Sequence, residues 1–166
     1  GIESGLDDVL KFMKKDHDLA QAYQAIDRLH EAGLIYDAHI MTGVAGKGRG
    51  MENAEALAQF LNRTNPAHVV NFSMFLHKEV PLYQDIRQGT FVPADELETI
   101  REEYHLIERI APEKAGANIL YDGFHDFIHV RVRGHLPGDK EKMLAKLNGI
   151  IQEYEGKEPV YSFVHG

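Results

Sequence analysis

Cysteine is absent from the 166 residues. That excludes a disulfide framework, a thiolate-held zinc ion and any iron–sulfur ligand within this stretch. No apolar run approaches the roughly 20 residues that a membrane helix needs, and no signal-peptide pattern is read. Positive charge is scarce: 18 Lys and Arg against 26 Asp and Glu give a formal charge of −8 and a pI near 5.6. General nucleic-acid affinity rests on clustered cations that neutralise phosphates, so the charge balance argues against it, and no membrane partner is expected. An initiator Met is missing too, and the chain opens inside its first motif. The expectation is therefore a piece of a larger cytoplasmic protein, cut in the middle of a working site. Internal repeats and low-complexity segments are also absent.

What is present is ordinary in bulk, with 43% hydrophobic and 27% charged residues, enough for one domain with a core or for part of a larger barrel. Two blocks pair the end of a strand with the start of a helix. The first is Gly1 to Met13, GIESGLDDVLKFM, and the second is His39 to Leu61, HIMTGVAGKGRGMENAEALAQFL. Ser4 and Asp7 have the spacing of a helix N-cap, and Asp18 with Gln21 repeats it. Leu19, Ala22, Tyr23, Ile26 and Leu29 make a helical stripe closed by Gly33. Leu34 to Met41 reads as a buried strand, Thr42 to Gly50 as a loop, and Met51 to Leu61 as a helix stopped at Asn65-Pro66. Val69 to Leu76 is the next strand, which gives the α-β-α-β rhythm of a parallel sheet. Leu82 to Gln88 reads as a short helix. A long acidic helix follows Pro93, with Glu96, Glu98, Glu102, Glu103 and Glu108 as a solvated face. Beyond Pro112, Ile119 to Tyr121 is a short strand, Ile128 to Val132 alternates like a half-exposed one, Asp139 opens a last helix, and Val160 to Val164 closes the chain.

The loop Gly43 to Gly50 invites comparison with phosphate cradles. A P-loop needs four residues between its first Gly and the Gly-Lys pair, then Ser or Thr; here two residues intervene and Gly48 stands where the hydroxyl belongs. The dinucleotide fingerprint is not met by Gly46, Gly48 and Gly50 either. Glu3 has two readings, a carboxylate that complements a helix dipole or one that faces a ligand. Ser4 reads as a cap, since no His or Asp stands at nucleophile-elbow spacing. Of the ten histidines, His125, His129, His135 and His165 read as surface or packing residues, because the strand period separates His125 from His129 by roughly 13 Å. No metal site is expected. His39 and His77, at the ends of parallel strands, are the better candidates for facing a site.

In order and spacing the blocks resemble the C-terminal part of a radical S-adenosylmethionine enzyme core. The likeness runs from Gly1 to about Lys140. It rests on Gly1 to Gly5, Asp8-Val9-Leu10-Lys11-Phe12-Met13, Ala32-Gly33, Ile40 with Gly43 and Gly46, Glu52, Pro81-Leu82-Tyr83 and Gly134 to Lys140. The resemblance implies an α/β fold, the C-terminal portion of an open partial (β/α) barrel over residues 1–112, with a small α+β extension over 113–166. It places Glu3 and Ser4 near the ribose and amino-acid portion of S-adenosylmethionine, Ile40 and Gly43 beside the adenine with Gly46 in the same loop, and His77 at the next strand end. The family's three-cysteine loop, which holds a 4Fe-4S cluster, has no counterpart here, so this stretch alone is expected to be inactive; the favoured reading puts the loop upstream in the intact protein, and the alternative is a degenerate relative of the family. Neither the catalytic residues nor the substrate follow from the resemblance. A truncated barrel is also expected to self-associate through its bared apolar surface. Two alternatives stand beside this reading: a nucleotide- or phosphate-binding α/β module that uses Lys47 and Arg49, and a non-catalytic interaction domain.

Overall fold

The computed structural model describes residues 1–164, so His165 lies outside the described residues. α1 (Asp7–Phe12) is short, and its N-cap is Leu6 without a side-chain cap. Ser4 is thus not the cap that its spacing suggested, although its Oγ accepts from the Leu6 amide. α2 (Leu19–Glu31) begins as the sequence indicates, with Asp18 and Gln21 forming a reciprocal capping box. Gly33 follows it at φ 72°, a left-handed position that glycine takes without a Cβ clash. Leu34 and Ile35 are left exposed, and β1 runs only from Asp37 to Thr42.

α3 (Gly50–Thr64), ended by Asn65 in the left-handed region, carries the chain to β2 (His68–Ser73). β2 lies parallel to β1, with Asp37 opposite His68 and Thr42 opposite Ser73. The two strands expected from the sequence are therefore parallel neighbours. β3 (Leu76–His77) and α4 (Leu82–Gln88) leave the sheet, and α5 (Glu96–Arg109) returns across it. β4 (Ile119–His125) then pairs parallel with β2, and β5 (Val130–Leu136) pairs antiparallel with β4. α6 (Lys140–Tyr154) follows, and β6 (Phe163–Val164) makes a second small sheet with β3. At the opposite edge, Ile2 and Glu3 hook onto β1 through Ile2 N to His39 O at 2.8 Å and Met41 N to Glu3 O at 3.0 Å.

The sheet order is β1-β2-β4-β5, and α3, α5 and α6 share one core with it. Ala38, Ile40, Val69, Tyr121, Val132 and Leu136 face that core together with Leu57, Leu61, Ile100, Ile107 and Leu147. Strand alternation sends the intervening residues, such as His39, Phe72, Arg131 and Arg133, to the other face, where they are exposed. A doubly wound sheet carries helices on both faces. One-sided cover is the wall of an open (β/α) barrel, here continued by an α+β extension whose β4 and β5 lie in the same sheet and core. Each fully buried Leu or Ile contributes roughly 1.5–3 kcal/mol.

Two expectations are corrected. α5 does not present a solvated acidic face: Glu96, Glu102 and Glu103 are buried, and only Glu98 and Glu108 reach water. Glu96 and Glu103 share the Ile100 and Ile107 stripe and meet Ser73, Asn71 and Tyr121 of the sheet, whereas Glu102 lies on another flank and meets Asn53 of α3 and the Gly43 amide. His129 is not on a strand with His125; it sits in the turn of the β4–β5 hairpin, while His125 ends β4 and is buried.

Candidate functional site at the strand ends

The carboxyl ends of the edge segment, β1 and β2 open onto a groove of about 470 Å³. Its walls are Met41, Val44, Met74 and Phe75 from the strand ends, Phe12 and Met13 from the end of α1, and Val80 to Leu82 before α4. Glu3 contributes the carboxylate nearest the strand ends, paired with Lys15 Nζ at 3.0 Å. That volume lies within the roughly 300–1,000 Å³ of small-molecule sites, which are mostly apolar with a few convergent polar groups. Two of the non-glycine residues with positive φ, Glu3 at 61° and Lys14 at 55°, line it. Such backbone costs of order 1–3 kcal/mol each and tends to collect at ligand sites. The third, Asn65 at 46°, is the ordinary cap of α3.

Below the groove a buried polar network ties the strand ends together. Ser4 Oγ donates to Asn53 Oδ1 at 2.6 Å, and the Gly5 amide donates to the same atom at 3.2 Å. Asn53 Nδ2 donates to Glu102 Oε1 at 2.7 Å, and the Gly43 amide to Glu102 Oε2 at 2.8 Å. One asparagine on α3 and one glutamate on α5 thereby fix the edge segment against the loop after β1. Burial pushes the Glu102 carboxyl up to about 7. Beside it, His125 Nε2 meets Glu103 Oε2 at 2.9 Å, and its Nδ1 lies 3.7 Å from Glu96 Oε2. Burial alone would lower the imidazole, but Glu103 and Glu96 outweigh it and hold His125 up at about 9. Burial likewise opposes the charge of Glu96, yet His125, Ser162 and Ser73 hold it below the usual carboxylate range. Asn71 and Tyr121 complete the satisfaction of Glu103 at 3.0 and 2.9 Å.

Among the candidate cofactor-binding residues Glu3, Ser4, Ile40, Gly43, Gly46 and His77, only Glu3 lines the groove. Ser4 is fully buried and bonded to Asn53, and Ile40 is fully buried in the core. Gly43 sits at φ 82°, where a Cβ would come within 2.8 Å of Thr99 Cγ2. Gly46, at φ 81°, packs on Phe91 and the Val92 carbonyl and lines a neighbouring hollow of about 370 Å³, which meets the groove at Phe12 and Val44. His77 stands apart in β3, its Nδ1 accepting from the Glu79 amide at 3.2 Å. His39 lies on the uncovered sheet face. Lys15, Met41, Met74 and Phe75 were not legible as site residues; Asn53 and Glu102 were hidden by their helices, although Glu102 stands one turn from Thr99 and Leu106, both buried.

The glycine loop does not form a free anion nest. The amides of Gly43 and Gly48 donate to Glu102 and Glu98, those of Gly46 and Arg49 to Gly43 O and Gly46 O, and that of Lys47 to Val92 O. The Arg49 guanidinium is held by Asp8 at 2.8 Å and Glu52 at 2.9 Å.

No protein-family model matches the chain, and no curated protein does. The fold is shared with a solved structure. Elp3 from the archaeon Methanocaldococcus infernus, with its N-terminus (1–46) deleted, superposes with a TM-score of 0.64 at 18% identity over 93% of this chain. The match spans 35% of that protein, so this chain corresponds to about a third of its length. At that identity the likeness shows the fold. Among the described residues no group of three or more His, Asp or Glu is placed to hold a metal ion, and no helix is long and apolar enough to cross a membrane.

Proposed function

We propose that this chain forms the S-adenosylmethionine side of a radical S-adenosylmethionine barrel, and that the strand-end groove takes the cofactor. The observation that carries this reading is the groove itself: Glu3, on left-handed backbone, sits with Met41, Val44 and Met74 at the carboxyl ends of adjacent parallel strands. Ligands of α/β sheets bind at that end. Elp3, whose fold the chain shares, is a radical S-adenosylmethionine family protein, which agrees with the motif resemblance. The donor set fits the cofactor in kind: apolar walls suit an adenine, and the Glu3 carboxylate suits a ligand cation or ribose hydroxyls once Lys15 is displaced. When bound beside a reduced cluster, S-adenosylmethionine supplies a carbon-centred radical. The residues here contain no thiolate, so they do not fit the cluster itself, and its ligands are assigned to another part of the enzyme.

Asn53 and Glu102 act in this reading by holding Gly5 and Gly43 in place, which keeps both strand ends at a fixed separation. Gly43, Gly46 and Ile40 then shape the site through backbone and packing, and Ser4 through its bond to Asn53. A phosphate-binding module is the poorer reading, because the loop amides are occupied, two of them by carboxylates, and Arg49 is already paired with two acids.

Calorimetric titration of the chain with S-adenosylmethionine tests the proposal. Binding is expected, with Glu3→Ala weaker by roughly 1–3 kcal/mol if the carboxylate makes charge-assisted hydrogen bonds. ATP is expected not to compete. Equal affinity of parent and variant, or preference for ATP, sinks the site assignment while leaving the fold untouched.

A further inference from the structure

The face of the sheet turned away from the helices carries an arrangement that the cofactor groove does not use. Strand register sets Met41, Phe72, Phe124 and Arg131 in one row across β1, β2, β4 and β5. Phe72 and Phe124 stack with centroids 5.7 Å apart, and the Arg131 guanidinium lies 4.7 Å from the Phe124 centroid. One row down, Asp122 accepts from Arg131 Nε and Nη2 at 2.9 and 2.7 Å and lies 3.6 Å from Arg133 Nε. Two arginines therefore share one carboxylate. Hydrogen bonding from Arg131 holds Asp122 below the usual carboxylate range and therefore ionised, so one carboxylate charge is set against two guanidiniums. Both arginine side chains remain more than half exposed, in a protein whose overall charge is −8. Asp37, another acid on this face, stands two rows lower and three strands away.

We propose that this row is a substrate subsite for an elongated apolar molecule ending in an oxyanion, its body across Phe72 and Phe124 and its anionic end at Arg131 and Arg133. The inference deepens the function proposed above and rests on it only for naming the ligand a substrate. Met41 belongs both to the groove and to the row. Adjacent strands are roughly 4.8 Å apart, so the arginines stand about 14 Å from the groove, and that sets the reach of the molecule. Apolar area supplies the affinity and the guanidiniums, which match planar oxyanions, fix the orientation.

Nuclear magnetic resonance titration of the chain, without cofactor, provides the test. The probes are naphthalene-2-carboxylate, its uncharged carboxamide, inorganic phosphate and a uridine hexanucleotide. The carboxylate should perturb the Phe72, Phe124 and Arg131 resonances and bind at least tenfold more tightly than the carboxamide or phosphate. Arg131→Leu should reduce that binding tenfold or more. Should Arg131→Leu fail to fold, Arg133→Leu, which leaves both Arg131–Asp122 hydrogen bonds in place, carries the same test. Equal binding of carboxylate and carboxamide overturns the proposal, as does perturbation confined to other residues. Tighter, steeply salt-dependent binding of the hexanucleotide assigns the face to RNA instead, and a concentration-dependent dimer that buries Phe72 assigns it to a second copy. Failure here with S-adenosylmethionine still bound leaves the cofactor reading standing; naphthoate binding without cofactor binding leaves only this subsite.

Discussion

Glu102 and His125 are buried beneath the strand ends with their protonation equilibria displaced in the same direction. Glu102 titrates near 7 in the folded chain against 4.5 when exposed, so between those values the folded state holds the extra proton and stability falls as pH rises. His125, raised from 6.5 to about 9, gives stabilisation that is complete below 6.5 and lost as pH climbs through 9. Asp8, Glu96 and Asp122 are displaced downward, and their stabilisation is lost as pH falls through their folded values, below 3.8 for the aspartates and 4.5 for the glutamate. The urea midpoint should therefore peak between about 4.5 and 6 and decline steadily toward pH 9. Glu102→Gln should flatten the decline below neutrality and His125→Gln the decline above it. A parent midpoint that rises between pH 6 and 9 would contradict the assignment. Neither group was legible from the sequence. A glutamate in an amphipathic helix reads as solvated, and only the Asn53 side chain and the Gly43 amide, brought in from distant positions, make Glu102 a buried hydrogen-bond acceptor.

Elements were legible where their ends carry local chemistry. The Asp18–Gln21 box, Gly33, Asn65 and the Leu82–Gln88 helix all stand where the sequence put them, because caps and left-handed stops depend on a few adjacent residues. Strand limits were not, since β1 ends its pairing at Asp37 and bares Leu34 and Ile35. Close approach between elements leaves a different kind of mark. A Cβ on Gly123 of β4 would lie 1.8 Å from Glu103 Oε1, so the strand packs on α5 only because glycine stands there. Gly123→Ala should destabilise by roughly 1–3 kcal/mol or more, by overpacking a satisfied buried carboxylate. Gly149, inside α6, has nothing within 4 Å of a Cβ. Gly149→Ala should stabilise by roughly 0.5–1 kcal/mol, the helix-propensity difference alone. Paired urea titrations separate the two, and a neutral Gly123→Ala would mean that β4 and α5 are less closely packed than the geometry requires.

At the scale of the molecule, the order β1-β2-β4-β5 makes the C-terminal third inseparable from the rest. The alternating rhythm of helix and strand identified a parallel sheet, and the family resemblance implied a partial barrel. The rhythm did not identify β4 as an interior strand, since Ile119 to Tyr121 read as a short strand and the pattern changed after Pro112. In the fold, β4 is hydrogen-bonded on both sides, to β2 and to β5, and Tyr121 is among the largest fully buried side chains. Leu136, Met143 and Leu147 from the same third close the core over Ile100, Leu106 and Ile107. Removing residues 113–166 would strip the hydrogen bonds from one side of β2 and leave Glu103 and Glu96 without His125. A buried charge that loses its partner costs several kcal/mol, against a total stability of roughly 5–15 kcal/mol. The whole chain should therefore unfold in a single urea transition, coincident by far-ultraviolet dichroism and tyrosine fluorescence, whereas residues 1–112 alone should show no cooperative transition and poorly dispersed amide resonances. If residues 1–112 instead unfold sharply with dispersed resonances, the edge segment, β1, β2 and their helices would be a self-sufficient unit. The extension would then be an accessory to the barrel wall, and β4 would not be one of its load-sharing interior strands.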